Sequence, residues 1–243
     1  MTYRQMMVLF FGLVMGQSTV VAESPSNFSS AKKIALRLFH EKPVTLYCQC
    51  PYDKDKHVDL NSCGMHQAMG QPRASRIEWE HIMPAQHFGK QFACWREKIC
   101  TNNRTGAKYR GRKCCEHISS EFRHIESELY NLWPSVGSVN QARSNFHYHT
   151  LHNKRGFYGC DIAVDKGNNW VEPSELTKGI VARATLFMIQ KYQIKIDESE
   201  QALLMAWNQT HPPTDWEIDW ASQVADIEGY DNPFITEYRK YRF

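Results

Sequence analysis

Eight cysteines constrain this chain most, because the segment before them is predicted to direct export into an oxidising compartment. Residues 1–22 carry one basic residue, then an almost uncharged apolar run from Met6 to Gly16, and end on Val20-Val21-Ala22. The run is about half of the ~20 residues that a helix needs to cross a bilayer, so it predicts a cleavable signal peptide rather than a membrane span. The mature chain is expected to begin at Glu23.

The cysteines are predicted to form four disulfides, since their number is even and the chain is exported. They allow on the order of a hundred connectivities, and the sequence leaves the pairing open. The neighbours Cys114 and Cys115 are expected to bond to different partners. Zinc is the competing interpretation, but no CxxC pair is followed by a second CxxC or an HxxxH. The eight positions are Cys48, Cys50, Cys63, Cys94, Cys100, Cys114, Cys115 and Cys160.

The mature chain, residues 23–243, is predicted to form one α+β domain that is mostly helical. Roughly 220 residues can bury a proper core without relying on cross-links alone. A first helix is predicted from Ser29 with Ile34, Leu36 and Leu38 facing inward, and a short strand is predicted over residues 44–48. Apolar periodicity predicts three C-terminal helices over residues 175–192, 198–207 and 215–226. No stretch after the leader is long and apolar enough to predict a membrane helix.

The segment IEWEHIMPA, residues 77–85, carries the strongest chemical signal. Glu80 supplies a hard carboxylate, and His81 supplies an imidazole whose pKa near neutrality suits proton transfer. Strict apolar alternation predicts a strand here, and successive side chains of a regular strand point to opposite faces. Glu80 and His81 could therefore serve one phosphate only at a strand end or bulge, and Pro84 favours a strand end.

A distant amide could complete a metal site with Glu80. Apolar residues spaced by three and four predict one helix from Ile118 to Leu132, which Pro134 must end. Asn131 is expected on the flank opposite the buried stripe, where its oxygen could face a site and bind Mg²⁺ or Ca²⁺. The alternative is a polar residue near a helix C-terminus with no functional role.

A basic run without acidic residues lies between Thr101 and Cys115. A loop of this kind could attract a polyanion through its phosphates without reading bases, although an ordinary solvated loop has the same composition. The net charge of +3 does not by itself indicate a nucleic-acid binder. The basic residues of the run are Arg104, Lys108, Arg110, Arg112 and Lys113.

Six blocks of sequence together resemble the endonuclease I group of periplasmic and secreted nucleases, within the His-Me finger (ββα-metal) superfamily. An isolated Glu-His pair would be weak evidence, but the ordered set covers most of the mature chain. The blocks are YCQCPY from Tyr47, RIEWEHIMPA with FGKQFACW through Trp95, NLWPSVGSVNQARSN through Asn145, YGCD from Tyr158, GIVARA from Gly179 and DNPFI from Asp231.

The resemblance implies roles for individual residues. His81 would be the general base, while Glu80 and Asn131 would bind a single Mg²⁺, Ca²⁺ or Mn²⁺ ion. Arg143 lies in the best-matching block, where we expect it to contact the scissile phosphate or brace the site. A salt bridge with a purely structural role explains an arginine there almost as well. The resemblance further implies a His-Me finger and a monomer that cuts DNA, and RNA as well, to 5′-phosphate ends in the periplasm or outside the cell.

The phosphate-binding arginine of the resembled family has no obvious counterpart here. The family usually places it between the cysteines that correspond to Cys94 and Cys100, where this chain has only WREKI. Arg96, Lys98 or an arginine of the loop after Cys100 could take its place. The main rival to a nuclease is a disulfide-stapled protein that binds nucleic acid without cutting it, but such a protein needs no base beside two metal ligands.

Overall fold

Helices and three small sheets make up the fold in the computed structural model, which describes residues 24–152 and 156–241. The predicted signal peptide, residues 1–22, lies outside the described residues. None of the helices in the described ranges combines the length and apolar character that a membrane span requires. The mixed α and β class predicted from the sequence is therefore confirmed.

The helices and strands are numbered in chain order. The helices are α1 Phe28–Leu38, α2 Ala85–Gly89, α3 Ala93–Arg96, α4 Arg112–Ile118, α5 Ser120–Glu126, α6 Gly137–Arg143, α7 Glu175–Tyr192, α8 Glu198–Thr210, α9 Asp215–Glu228 and α10 Pro233–Thr236. The strands are β1 Ile77–His81, β2 Cys100–Thr101, β3 Lys108–Tyr109, β4 Leu132–Val136, β5 His147–Tyr148, β6 Ala163–Asp165 and β7 Trp170–Glu172.

Strands β1 and β4 form an antiparallel two-stranded sheet. Ile77 is opposite Val136 and His81 is opposite Leu132, so the carboxyl end of β1 meets the start of β4. A two-stranded sheet leaves one side of each strand unpaired, and this explains how β4 accommodates Pro134. Helix α6 follows β4 directly.

The C-terminal helices pack around α7 and agree with the periodicity of the sequence. Most of α7 is buried, and α8 packs along it. An aromatic group joins this helical layer to β4: Trp220 of α9 lies 4.8 Å from Trp133 and 5.7 Å from Phe39, measured between ring centroids. The three predicted C-terminal helices are confirmed, with α8 and α9 extending a few residues further than predicted.

All eight cysteines form disulfides, as predicted. Cys114 and Cys115 do bond to different partners, because α4 turns their side chains toward different segments. The four bonds are Cys48–Cys160, Cys50–Cys63, Cys94–Cys115 and Cys100–Cys114.

The prediction of a strand over residues 44–48 was wrong. Only Val44 makes an isolated bridge, to Pro51, and the chain then turns sharply. Thr45 closes this turn, since its hydroxyl accepts from the Cys50 amide and its carbonyl accepts from the Gln49 amide. The turn sends Cys48 and Cys50 toward separate disulfide partners, which an extended strand would not do.

The prediction of one helix over residues 118–132 was also wrong. Ser119 has an extended backbone, and its side chain caps α5 by accepting from the Phe122 amide, so α4 ends where α5 begins. Helix α5 stops at Glu126, and a 3₁₀ turn over Leu129–Asn131 leads into β4. The apolar stripe survives the breaks except at Ile118, which is 51% exposed. Leu36 of α1 was predicted to face inward with Ile34 and Leu38. It lines a surface cleft instead.

Candidate active site

Glu80 and His81 lie together at the end of β1, as the strand-end prediction requires. After His81 the chain leaves the sheet, with the Ile82 amide bonding to the carbonyl of Asn131 and Pro84 preceding α2. Both side chains line one open cleft of about 850 Å³. The end of the strand thus allows consecutive residues to face a common space.

His81 is held as a neutral imidazole with one ring nitrogen free to accept a proton. Its Nε2 lies 2.8 Å from the carbonyl oxygen of Glu126. Because a carbonyl only accepts, Nε2 must carry the hydrogen and Nδ1 bears the lone pair. Burial lowers the pKa of His81 to about 3, and the positive charge of Arg112 adds to this effect. The ring of Phe28 covers the imidazole, with the two centroids 4.9 Å apart.

Glu80 is buried among hydrogen-bond donors. The Tyr47 hydroxyl donates to Oε1 at 2.8 Å, and Nε of Arg143 lies 2.9 Å from the same oxygen. Burial raises the pKa of Glu80 to about 7, against the charge of Arg143 and the hydrogen bond from Tyr47. The hydrogen bond and the ion pair of Glu80 found in residues 24–152 and 156–241 both fall on Oε1, and neither engages Oε2.

Arg143 braces the site from behind. It is fully buried, and beyond its ion pair with Glu80 its Nη2 donates to the Ile82 carbonyl at 2.7 Å. Its guanidinium also lies over the ring of Tyr148, 4.8 Å from the centroid. Arg143 does not line the cleft. Of the two roles considered from the sequence, this position favours bracing over contact with a phosphate.

Asn131 ties the end of β1 to the start of β4. Its Oδ1 accepts from the Met83 amide at 2.7 Å, and its Nδ2 donates to the Met83 carbonyl at 3.0 Å. The side chain is fully buried and is not among the residues that line the cleft. The expectation of a residue that projects away from the core was wrong, because the helix breaks before this position. One lone pair of Oδ1 remains after the bond to Met83.

The cleft is strongly basic, and most of its charge comes from segments that the sequence did not single out. The acidic lining residues are Glu78 and Glu80, and Glu78 is paired with Arg73. The basic residues come from four separate parts of the chain, so no single run in the sequence indicates the cluster. The basic lining residues are Lys32 and Lys33 of α1, Lys56, Arg73, Arg76, and Arg112 of α4.

Arg112 is the cation best placed beside His81. Its Nε bonds to Glu126 Oε1 and lies 3.2 Å from Glu116 Oε1, and its guanidinium lies 4.9 Å from the Phe28 ring centroid. Its Nη2 is buried with no hydrogen-bond partner among the described residues. Arg112 belongs to the loop after Cys100, one of the alternatives left open for the phosphate-binding residue. Arg96 donates instead to the carbonyl of Lys90.

The other cations of the basic run point elsewhere. Lys108 donates to the Thr101 hydroxyl, and Arg110 donates to the Arg96 carbonyl. Arg104 and Lys113 line a separate depression. The run as a whole therefore does not form the wall of the cleft, and only its Arg112 reaches it.

The donors at this site are of the kind that hard divalent cations bind. Within the described part of the chain, no three His, Cys, Asp or Glu side chains converge to hold a metal. A site with one carboxylate, one amide oxygen and water would not form such a cluster, and Mg²⁺ usually keeps several waters. Glu80 and Asn131 supply the donor types of such a set, although Glu80 lines the cleft while Asn131 is buried and bonded to Met83.

Comparison with known proteins agrees with the cleft and its paired Glu and His. Residues 15–238 match the Endonuclease I family model. The chain is 35% identical to Endonuclease-1 of Buchnera aphidicola subsp. Acyrthosiphon pisum (strain APS) over 216 residues, which cover 87% of this chain and 81% of the relative. Two Aeromonas hydrophila proteins are also similar: an extracellular deoxyribonuclease, 35% identical over 88% of this chain and 90% of its own, and a periplasmic deoxyribonuclease, 33% identical over 94% and 93%.

A basic cleft with an imidazole beside a carboxylate suits the hydrolysis of phosphodiesters, and the family match places the chain among such hydrolases. The chain belongs to the endonuclease I family. The resemblance recognised from the sequence is thereby confirmed, and with it the interpretation as a metal-dependent endonuclease.

Proposed function

We propose that this protein is an exported, non-specific endonuclease that hydrolyses the DNA backbone with His81 as general base and one divalent cation. The observation that carries the proposal is the pair of Glu80 and neutral His81, which open side by side onto a basic cleft. The extracellular and periplasmic relatives are named as deoxyribonucleases, which supports DNA as the substrate.

His81 can accept a proton from water because it is neutral, although burial lowers its pKa well below the near-neutral value expected from the sequence. With Nε2 donating to the Glu126 carbonyl, Nδ1 can take a proton from a water molecule in line with the scissile bond. The attacking oxygen forms a bond to phosphorus and the bond from phosphorus to the 3′ oxygen breaks. The leaving oxygen takes up a proton from solvent, and the products carry 5′-phosphate and 3′-hydroxyl ends.

Glu80 and Asn131 would hold the cation through Oε2 and Oδ1. A bound Mg²⁺, Ca²⁺ or Mn²⁺ ion polarises a phosphate oxygen and stabilises developing negative charge. Arg143 and Tyr47 fix the direction of the Glu80 carboxylate from behind, since both bond to Oε1. We infer that β1, β4 and α6 form the strand, strand and helix of a His-Me finger, with β1 carrying the base.

Arg112 is the residue we propose for binding the scissile phosphate. Its side chain lines the cleft and is 37% exposed, so the guanidinium can donate to a phosphate oxygen. The hydrogen bond from its Nε to Glu126 and its ion pair with Glu116 fix the direction of the guanidinium. Its positive charge adds to the effect of burial in lowering the pKa of the neighbouring His81. Arg112 therefore supports the base and the substrate at once.

Substrate tolerance follows from where the contacts lie. The cations of the cleft would meet phosphates, which carry no base information, so cutting is expected at many sequences and in RNA as well as DNA. We propose that the enzyme acts as a monomer in the periplasm or outside the cell. Its signal peptide would be residues 1–22, which leaves residues 23–243 as the nuclease domain.

The test compares digestion of plasmid DNA and RNA by oxidised mature wild type, His81→Ala, Arg112→Lys and the control His152→Ala, each with Mg²⁺ and with EDTA. His152 is exposed and lies outside the cleft. We expect metal-dependent cutting by wild type and control, loss of at least 100-fold with His81→Ala, and a smaller loss with Arg112→Lys, since removing a general base typically costs 10²–10⁴-fold. Equal DNA binding with no cutting by any of these proteins would instead favour the non-catalytic binding protein.

A further inference from the structure

A second basic depression lies outside the cleft, where the β2–β3 hairpin packs near α4. It has a volume of about 670 Å³ and is called the hairpin surface here. No acidic side chain lines it, and the proposed catalysis does not use it. Its lining residues are Thr101, Asn102, Asn103, Arg104, Tyr109, Lys113 and His117.

Helix α4 separates its charges between the two sites. Arg112 and Glu116 are one turn apart and pair at 3.2 Å on the side of the cleft. Lys113 and His117 are also one turn apart, so they share the neighbouring face and line the hairpin surface. Glu116 is thus engaged with Arg112, and the charge of Lys113 stands unopposed by any lining residue.

The hairpin is held firmly in place for a surface loop. The disulfide Cys100–Cys114 joins the first residue of β2 to the residue after Lys113, and Cys94–Cys115 fixes the next position of α4. Asn102 orders the turn, because its Oδ1 accepts from the amides of Arg104 and Thr105. Binding at a rigid surface loses less conformational entropy than binding at a mobile loop.

We propose that Arg104, Lys113 and His117 form a second phosphate-binding surface, which holds the DNA duplex that flanks the bond cut in the cleft. The inference rests on the proposed nuclease function and extends it. Arg112 in the cleft and Lys113 on the hairpin surface are consecutive residues, so the two basic surfaces adjoin each other at α4. Duplex DNA carries one negative charge per ~1.7 Å of axis, so flanking phosphates lie within reach of these cations. The expected ligand is therefore backbone phosphate rather than a particular base.

The salt dependence of cleavage tests this directly. We would measure kcat and KM on a duplex of ~40 base pairs between roughly 50 and 200 mM KCl, since each lost phosphate contact makes the slope of log affinity against log salt less negative by about 0.9. For Arg104→Ala/Lys113→Ala, two contacts are lost, so the slope of log kcat/KM should become less negative by roughly 1.8 while kcat at saturating DNA stays unchanged. Arg104→Lys/Lys113→Arg should keep the wild-type slope.

Lys166→Ala/Lys195→Ala removes the same charge from exposed positions that line neither the cleft nor the hairpin surface. Its slope should equal that of the wild type. If the hairpin variant and this control show the same slope while wild type cuts normally, the hairpin surface is ordinary solvated charge and the inference is overturned. Failure of the wild type to cut the duplex at all would overturn the proposed function itself. Thermal unfolding of each variant checks that the fold is retained.

Discussion

The Cys48–Cys160 disulfide should stabilise the protein more than the Cys50–Cys63 disulfide, although the two begin only two residues apart. The first closes a loop of 112 residues and the second a loop of 13. The other three disulfides lie inside the larger loop and reduce its effective length to roughly 80 residues. Closing a loop of that length lowers the entropy of the unfolded chain by an amount equivalent to ~4.5 kcal/mol, whereas closing the small loop corresponds to ~3 kcal/mol. Replacing each pair by Ser should therefore give losses that differ by ~1.5 kcal/mol.

Urea unfolding of oxidised wild type, Cys48→Ser/Cys160→Ser and Cys50→Ser/Cys63→Ser measures these losses. Seven tryptophans report the transition by fluorescence, and linear extrapolation gives the free energy of unfolding in water. The Cys48–Cys160 variant should unfold at the lower urea concentration. Its activity should fall as well, because Cys48 follows Tyr47, whose hydroxyl bonds to Glu80.

Equal losses, or a larger loss for Cys50→Ser/Cys63→Ser, would refute the entropic reasoning. They would mean that contacts around the short loop in the folded state outweigh the constraint on the unfolded chain. A change in the urea dependence itself would instead indicate that the unfolded ensembles differ in compactness.

Two other predictions concern buried charges. Burial raises the pKa of Glu228 to about 8, and Glu128 shares the Tyr230 hydroxyl with it. The folded protein then binds a proton that the unfolded chain has released, so the free energy of unfolding should fall by up to ~1.4 kcal/mol per pH unit between about pH 5 and 8. Glu228→Gln should flatten that fall in denaturant melts across this range, and an unchanged slope would contradict it. Arg183 makes a buried two-point ion pair with Glu217, so Arg183→Leu should cost ~3–5 kcal/mol and Arg183→Leu/Glu217→Leu clearly less, measured by urea unfolding. Equal costs would refute the account.

The periodicity of apolar residues predicted the C-terminal helices well, because a helix buried on one face places apolar residues at regular intervals in the sequence. Helix α7 spans the residues that its apolar spacing predicts, and α9 differs by only a few residues. The same reasoning failed over residues 118–132. The apolar spacing continues across two interruptions of the helix, so it gives no sign of either. Ser119 was the available signal, because a serine that begins a new stripe is a common helix cap.

Local chemistry predicted the pairing of Glu80 and His81, but not the surroundings that make it useful. Pro84 indicated the strand end that brings the two together. Nothing local could show that Lys32, Lys56 and Arg112 converge on one cleft, because that depends on tertiary packing of distant segments. The same limit applies to Asn131, whose bonds to Met83 arise from the meeting of β1 and β4.

The carbonyl of Glu126 has an evolutionary consequence for the proposed base. In many hydrolases a carboxylate side chain orients the catalytic imidazole, so one substitution can lose that orientation. Here a main-chain oxygen performs this task for His81, and every amino acid at position 126 supplies one. Side-chain changes there would disturb Arg112 while leaving the tautomer of the imidazole intact. Substitutions at position 126 should therefore leave the orientation of His81 unchanged. Only insertions, deletions or changes that bend the end of α5 would misalign the imidazole.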